Sequence, residues 1–365
     1  MFFVRKRPHR FPESVRPSLF CNPKMKNMTL AQRIDVLSKL GTHLQGKDEY
    51  LDAVIHRTHF NNLWFTRENQ ERAIRAIANE LLNREKLESW ASHYAIPDAP
   101  SGKTVGLVMA GNLPLVGFHD VVCTFVAGHK SKIKLSDKDK FLLPYLLNLL
   151  SRFDSATEGF FEIVEILNGF DAVMATGSDN SARYFEAYFG KYPHIIRRNR
   201  NGVAVLDGSE TDEELHALGK DVFRYFGLGC RNVSKIYVPK GYDFQRLLES
   251  LHDFREIILH DKYKNNFDYN IALLILNRTP YLNNGCILLA ENPAIASRIA
   301  MLHYEFYEEK AVLENELQSR SEEIQCIVAK PGLLDLPVIT FGKTQEPRLA
   351  DYPDGVDVMA FLLGL

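Results

Sequence analysis

Thr104-Val105-Gly106-Leu107-Val108-Met109-Ala110-Gly111-Asn112-Leu113-Pro114 is the stretch on which the fold turns. Val105 to Ala110 is a short unbroken run of apolar and small residues, the pattern of a strand covered on both faces. Gly111-Asn112-Leu113-Pro114 reads as the turn that ends it. An apolar helix follows to about Ala127, then a second short strand from Lys132 to Leu135. Strands separated by helices imply an α/β chain with a mostly parallel sheet and crossovers on its faces. Ligands in such sheets lie outside the carboxyl ends of the strands, so the turns after Ala110, Leu135 and Ala175 are expected to carry ligand contacts.

Toward the N-terminus, Pro97 and Pro100 separate this strand from a helical lead-in. Thr66 signals one helix, with Ala73, Ile74, Ile77, Leu81 and Leu82 on one face. Thr29 and Gln32 form a capping-box pattern ahead of another, in which Leu30, Ile34, Leu37, Leu40 and Leu44 share a side. The first 27 residues differ, with Arg5, Lys6, Arg7, Arg10 and Arg16 set among Pro8, Pro12 and Pro17. They read as a disordered basic arm, or as residues ahead of a natural start at Met25 or Met28. No apolar run follows them, so a secretory signal is not expected.

Toward the C-terminus the alternation continues. Leu142 to Leu150 reads as helix, Ala172 to Ala175 as strand, Ser178 to Tyr188 as helix and Val203 to Leu206 as strand. Thr211 and Glu214 form a second capping-box pattern, opening a helix toward Phe226 that Gly227-Leu228-Gly229-Cys230 ends. Strands at Lys235 to Val238, Cys286 to Ala290 and Ile324 to Val328, with helices between, predict a second α/β unit, with Asn283-Asn284-Gly285 as a turn before one of the strands.

Composition narrows the function. The 365 residues are 45% hydrophobic and 25% charged, with a formal net charge of −2. That suits two globular domains, not a surface built for nucleic acid. Phe141 to Leu150, the longest strongly apolar stretch, is too short to span a bilayer. The cysteines Cys21, Cys123, Cys230, Cys286 and Cys326 show neither CxxC spacing nor a partnering histidine pattern, as in a reduced cytoplasmic protein without a metal site.

Five places have the residue types for chemistry. A lone cysteine is ordinarily a small buried hydrophobe. Cys230 differs in having Gly227 and Gly229 beside it, which admit close approach, and Arg231, whose charge would favour the nucleophilic thiolate. Asn112, at a strand end, has a side-chain amide suited to holding an oxyanion; a turn asparagine is the plainer alternative. Lys134-Leu135-Ser136-Asp137 ends another strand and by itself reads as a solvated charge cluster. Thr176-Gly177-Ser178 offers backbone N–H groups to a phosphate, although such turns are common and no GxGxxG occurs. Glu323 leads into a strand, where a carboxylate can hold a ribose hydroxyl pair or simply face solvent. Asp351, Asp354 and Asp357 are read as turn and helix-start residues, not as metal ligands.

In this order the five elements resemble the aldehyde dehydrogenase superfamily, and within it the long-chain acyl-CoA reductases typified by the fatty acid reductase of bacterial luminescence. The resemblance runs from about Thr29 to the C-terminus and includes Asn62 to Thr66 and Asp351 to Leu362. It implies two α/β domains with the active site between them: a dinucleotide-binding domain over 28–206, a catalytic domain over 207–345 and a C-terminal segment over 346–365. It implies Cys230 as acyl-accepting nucleophile and Asn112 as oxyanion donor. Lys134 and Asp137 are then placed at the adenosine ribose, Thr176, Gly177 and Ser178 at the pyrophosphate, and Glu323 at the nicotinamide ribose.

The sequence departs from the superfamily's hydrolytic members. These have a water-activating glutamate on a Glu-Leu-Gly-Gly motif; the matching stretch here is Ile195-Ile196-Arg197-Arg198-Asn199-Arg200, with no carboxylate between Glu186 and Asp207. The family's frequent glutamine before the nucleophile is also replaced, by Leu228-Gly229. The resemblance therefore implies reduction of a long-chain fatty acyl-CoA to the aldehyde through an acyl-enzyme, the arginines offering charge to the coenzyme A phosphates. NADPH is the expected cofactor, with NADH as the alternative: Lys132, Lys138 and Lys140 favour a 2′-phosphate and Asp137 opposes one. A homo-oligomer and an acyl-transfer partner enzyme are implied by resemblance alone. Another reductase or dehydrogenase of the superfamily, or a non-catalytic nucleotide-binding protein of the same fold, is the alternative.

Overall fold

Two sheets organise residues 27–365, the part of the chain described by this computed structural model. The expected arm over 1–27 lies outside the described residues except for Asn27. The first sheet contains β1 (Thr104–Val108), β2 (Lys130–Lys134), β3 (Phe161–Ile163), β4 (Ala172–Thr176) and β5 (His194–Arg197), ordered β3-β2-β1-β4-β5. All its pairings are parallel. The second contains β6 (Asn201–Val205), β7 (Val233–Pro239), β8 (Leu282–Asn283), β9 (Leu288–Glu291), β10 (Met301–Tyr307) and β11 (Ile324–Val328), ordered β11-β6-β7-β10-β9-β8. Only the short β8–β9 pairing is antiparallel.

The apolar run that opened the reading becomes the centre of the first sheet, where Val105 and Leu107 are buried. The helix Phe118–Val126 packs beside it with Val121, Val122 and Phe125 wholly inside. Helix Leu30–Leu44 and the C-terminal helix Val358–Leu363 join the same core, so the end of the chain returns to the first unit. Ile236, Leu288 and Leu302 lie in the core on one face of the second sheet; Val205, Tyr237 and Leu313 lie in the core on the other. Both capping boxes form, at Thr29 and at Thr211.

Three features depart from expectation. The helices Glu49–Asn61 and Arg84–Ala91 and strand β10 were not anticipated. The Val203–Leu206 strand was grouped with the first unit over 28–206, but β6 pairs with β7 and β11. The change of sheet therefore falls at Arg198-Asn199-Arg200. Finally, the helix Asp212–Phe223 stops short of Phe226, and Tyr225, Phe226 and Gly227 adopt left-handed φ of 53°, 59° and 74°. Asn232 explains the stop. Its buried amide donates to the carbonyls of Asp221, Val222 and Arg224, at 3.1, 3.3 and 2.8 Å, and so satisfies the acceptors of the last turn.

Candidate active site

Because β5 passes into β6 through three residues, the carboxyl ends of β1, β2, β4 and β5 meet the amino ends of β6, β7 and β11. Every residue singled out from the sequence lies along this junction. Asn112, just past β1, donates from Nδ2 to the carbonyl of Leu228 at 3.0 Å, two residues before Cys230. An amide NH2 has two donors, and this contact uses one.

The Cys230 loop is held tightly. Gly229 N donates to Asn232 Oδ1 at 2.9 Å, and Gln345 Nε2 donates to the same oxygen at 2.9 Å. A Cβ at Gly229 would stand 2.7 Å from Asn232 Oδ1 and 3.0 Å from Leu113 Cδ1, so a glycine is required beside the sulfur. Cys230 itself is half-buried, whereas Cys123 and Cys286 are sealed in packing.

The expectation that Arg231 would leave the thiol ionised is corrected. Burial pushes the Cys230 thiol above its ordinary value, and the pull of Arg231 and Arg197 does not overcome it; the charge of Asp354 adds to the rise. Arg231 is also partly spent, donating from Nη2 to the carbonyl of Asp351 at 2.8 Å.

Arg197 is buried as well. Its Nη2 donates to Asp120 Oδ1 at 2.9 Å and its Nη1 to Thr176 Oγ1 at 3.4 Å. Burial alone would raise the Asp120 carboxyl, but Arg197 and His119 hold it below the usual carboxylate range. Arg197 therefore serves the protein interior and is not free for a coenzyme phosphate. Arg198, which is exposed, pairs with Glu186.

The remaining residues suit a dinucleotide laid across the strand ends. A Cβ on Gly177 would fall 2.8 Å from Ser181 Cβ and 2.9 Å from Phe185 Cε2. The backbone after β4 thus runs close to the helix Asp179–Phe189, whose N-cap is Ser178. Such a helix start favours phosphate. Lys134 and Asp137 are exposed, and no described residue pairs with either side-chain charge. Their loop is fixed by Asn61 Nδ2 donating to the Asp137 carbonyl at 3.0 Å, and Gly111 packs against Ser136 with no room for a Cβ. Asp139, buried in the same loop, accepts from Leu115 N at 2.7 Å and ties the turns after β1 and β2 together. Lys132 Nζ is occupied by the carbonyls of Asn168 and Gly169.

Glu323 lies at the amino end of β11, on the same sheet edge as Cys230, exposed and paired with Arg320 at 3.0 Å. Neither it nor Lys134, Asp137 or Ser178 contacts the thiol. Asn232, Gln345 and Asp120 were missed, because each acts through a partner remote in sequence, and Asp354 was read as a turn residue. Asn232 gave the one local signal, a polar residue just ahead of an apolar strand. Among the described residues no group of His, Cys, Asp and Glu side chains could hold a metal ion, and no helix is long and apolar enough to cross a membrane.

No protein-family model matches the chain. A sequence relative is long-chain acyl-protein thioester reductase 2 of Photobacterium leiognathi, 24% identical over 224 residues, covering 55% of this chain. The match spans 46% of that relative's length. Among solved structures, aldehyde dehydrogenase 21 of Physcomitrella patens superposes with TM-score 0.67 at 14% identity, over 92% of this chain and 84% of its own. The NADP-dependent glyceraldehyde-3-phosphate dehydrogenase of Bacillus halodurans gives 0.59 at 13%, over 82% and 73%. An NAD-dependent aldehyde dehydrogenase of Sinorhizobium meliloti gives 0.61 at 15%, over 83% and 70%. The chain therefore has the fold of the aldehyde dehydrogenases, and over 55% of its length it is similar in sequence to a long-chain acyl-protein thioester reductase.

Proposed function

We propose that the protein reduces a long-chain acyl thioester, carried on coenzyme A or on another protein, to the aldehyde through an acyl-enzyme on Cys230. The observation that carries this reading is the Asn112 amide bonded to Leu228 on the nucleophile loop. It ties a neutral amide donor to the loop that carries the half-buried thiol, and acyl transfer needs such a pair. The name of the Photobacterium relative supports thioester reduction over aldehyde oxidation.

Cys230 sulfur attacks the thioester carbon while the free N–H of Asn112 holds the oxygen that gains charge. The donor thiol leaves with the proton. Arg197, closed on Asp120, stands in the stretch matching the glutamate of hydrolytic relatives and has no capacity to activate water. Asp354, in the C-terminal segment, has its carboxylate 3.5 Å from Arg200 Nε. A reduced nicotinamide cofactor, when bound, supplies hydride to the acyl group. Lys134 and Asp137 would hold its adenosine ribose, Thr176 to Ser178 its pyrophosphate and Glu323 its nicotinamide ribose. Lys134, unpaired and close in sequence to exposed Lys138 and Lys140, favours NADPH over NADH.

The test is aldehyde production from a long-chain acyl-CoA with NADPH. The reading expects aldehyde from the intact protein and none from Cys230→Ala. Release of free acid without cofactor consumption would reject it.

A further inference from the structure

The stretch Asn62-Leu63-Trp64-Phe65-Thr66 takes no part in the chemistry proposed above, yet it touches both loops on which that chemistry depends. It follows the helix Glu49–Asn61 and is firmly seated: Phe65 is buried, and its carbonyl accepts from Gln70 Nε2 at 2.6 Å. Asn62 Nδ2 donates to the Lys138 carbonyl at 3.4 Å, next to the Asn61 bond to Asp137. Asn62 Oδ1 accepts from Trp64 N at 3.2 Å. From this base the half-buried Trp64 packs against the core of the second unit. Its ring centre lies 5.2 Å from that of Phe226, and it stacks on His260 at 5.1 Å with the planes 22° apart. His260, the N-cap of helix Asp261–Leu276, lies 4.3 Å from the Phe226 ring and donates from Nε2 to the Leu63 carbonyl at 3.0 Å.

We propose that Trp64 is a positioning residue for the nucleophile loop: packed with His260 on Phe226, it holds the left-handed turn over 225–227 from which the loop runs to Cys230. This rests on Cys230 being the acyl acceptor.

The backbone gives the reason. Tyr225 and Phe226 have Cβ atoms and still adopt φ of 53° and 59°, a region that bulky side chains hold only where the surroundings over-determine it. The Tyr225 carbonyl accepts from Leu228 N at 3.1 Å, and Asn232 fixes the Arg224 carbonyl and Gly229 N on either side. Phe226 itself is held by rings: Trp64, His260 and, at 6.2 Å, Tyr263. Of these three only Trp64 comes from the first unit, so it ties the nucleophile loop to the loop after β2. Cys230 is four residues beyond Phe226, within about 14 Å of it even along an extended chain. A turn that relaxed to negative φ would carry the Leu228 carbonyl away from Asn112 Nδ2, and with it the alignment of the loop.

The experiment compares the full chain with Trp64→Ala, Trp64→Phe and Leu63→Ala by two readouts. The first is hydrogen exchange, by peptide mass, at the amides of Leu228 and Gly229, both hydrogen-bonded in the loop. Trp64→Ala removes two ring contacts and should speed that exchange roughly tenfold, with peptides away from the loop unchanged. The second sets the rate of Cys230 acylation by a long-chain acyl-CoA against that of iodoacetamide alkylation. Trp64→Ala should acylate about 10²-fold more slowly, because a small misplacement of reacting groups suffices, while alkylation stays near the parent. Trp64→Phe, which keeps a ring, and Leu63→Ala, which trims the exposed neighbour, should stay near the parent in both readouts. Exchange or acylation in Trp64→Ala that overlays the parent, an equal effect of Leu63→Ala or Trp64→Phe, or acylation and alkylation falling together overturns the proposal. A parent chain that is never acylated rejects the proposed function instead, and the exchange rates then decide the role of Trp64.

Discussion

Arg197 Nη2 donates to Asp120 Oδ1 at 2.9 Å, and both side chains are buried, so the guanidinium is neutralised within the protein. Breaking a buried pair by removing one partner leaves the other as an unsolvated charge, at a cost of about 3–5 kcal/mol. Arg197→Ala should therefore lower stability by about that amount, measured by denaturant unfolding. The double change Arg197→Met with Asp120→Leu should recover much of it, because no charge is then left unpaired.

Gly229 is predicted to be intolerant of any side chain. A methyl group there meets Asn232 Oδ1, Leu113 and Gln345 Nε2 at 3.2 Å or less. Gly229→Ala should cost about 1–3 kcal/mol by overpacking. It should also slow Cys230 alkylation at every pH, since the loop moves as a whole.

Asp139 gives a pH signature. Burial raises its carboxyl to about 6, with Leu115 N opposing. The folded chain thus favours the protonated form over the unfolded chain, whose aspartates titrate near roughly 3.9. Its contribution to stability is complete below about pH 4, falls as pH rises through 6, and by neutral pH has lost about 3 kcal/mol. Asp139→Asn, which keeps an acceptor for Leu115, should raise the melting temperature at pH 8 and leave it little changed at pH 4.5.

Asn112→Ala removes the amide that would hold the oxyanion. Acylation of Cys230 should slow by about 10²–10³. Iodoacetamide alkylation, which builds no oxyanion, should keep its parental rate; equal losses in both would assign Asn112 to loop support alone.

The parts of this protein legible in its sequence are those written in local pattern. The runs at β1, β4 and β11 and the two capping boxes depend on near neighbours, and each appears where its residues place it. What was not legible depends on pairing across the chain. Strand β6 has an ordinary apolar pattern, and only its register with β7 and β11 assigns it to the second sheet. The charge state of Cys230 was misread because Arg231 is adjacent in sequence, whereas burial and Asp354 outweigh it in space. Asn232 and Gln345, bonded to each other at 2.9 Å, are 113 positions apart, a distance no motif spans.

The central claim, that an acyl group on Cys230 waits for hydride and not for water, is tested most directly by its lifetime. Intact mass would be followed after mixing the protein with a long-chain acyl-CoA, first without cofactor and then with NADPH. A mass increase of one acyl group that persists, disappears on adding NADPH as aldehyde forms, and never arises in Cys230→Ala is the predicted result. An adduct that decays to free acid before any cofactor is added would contradict the account.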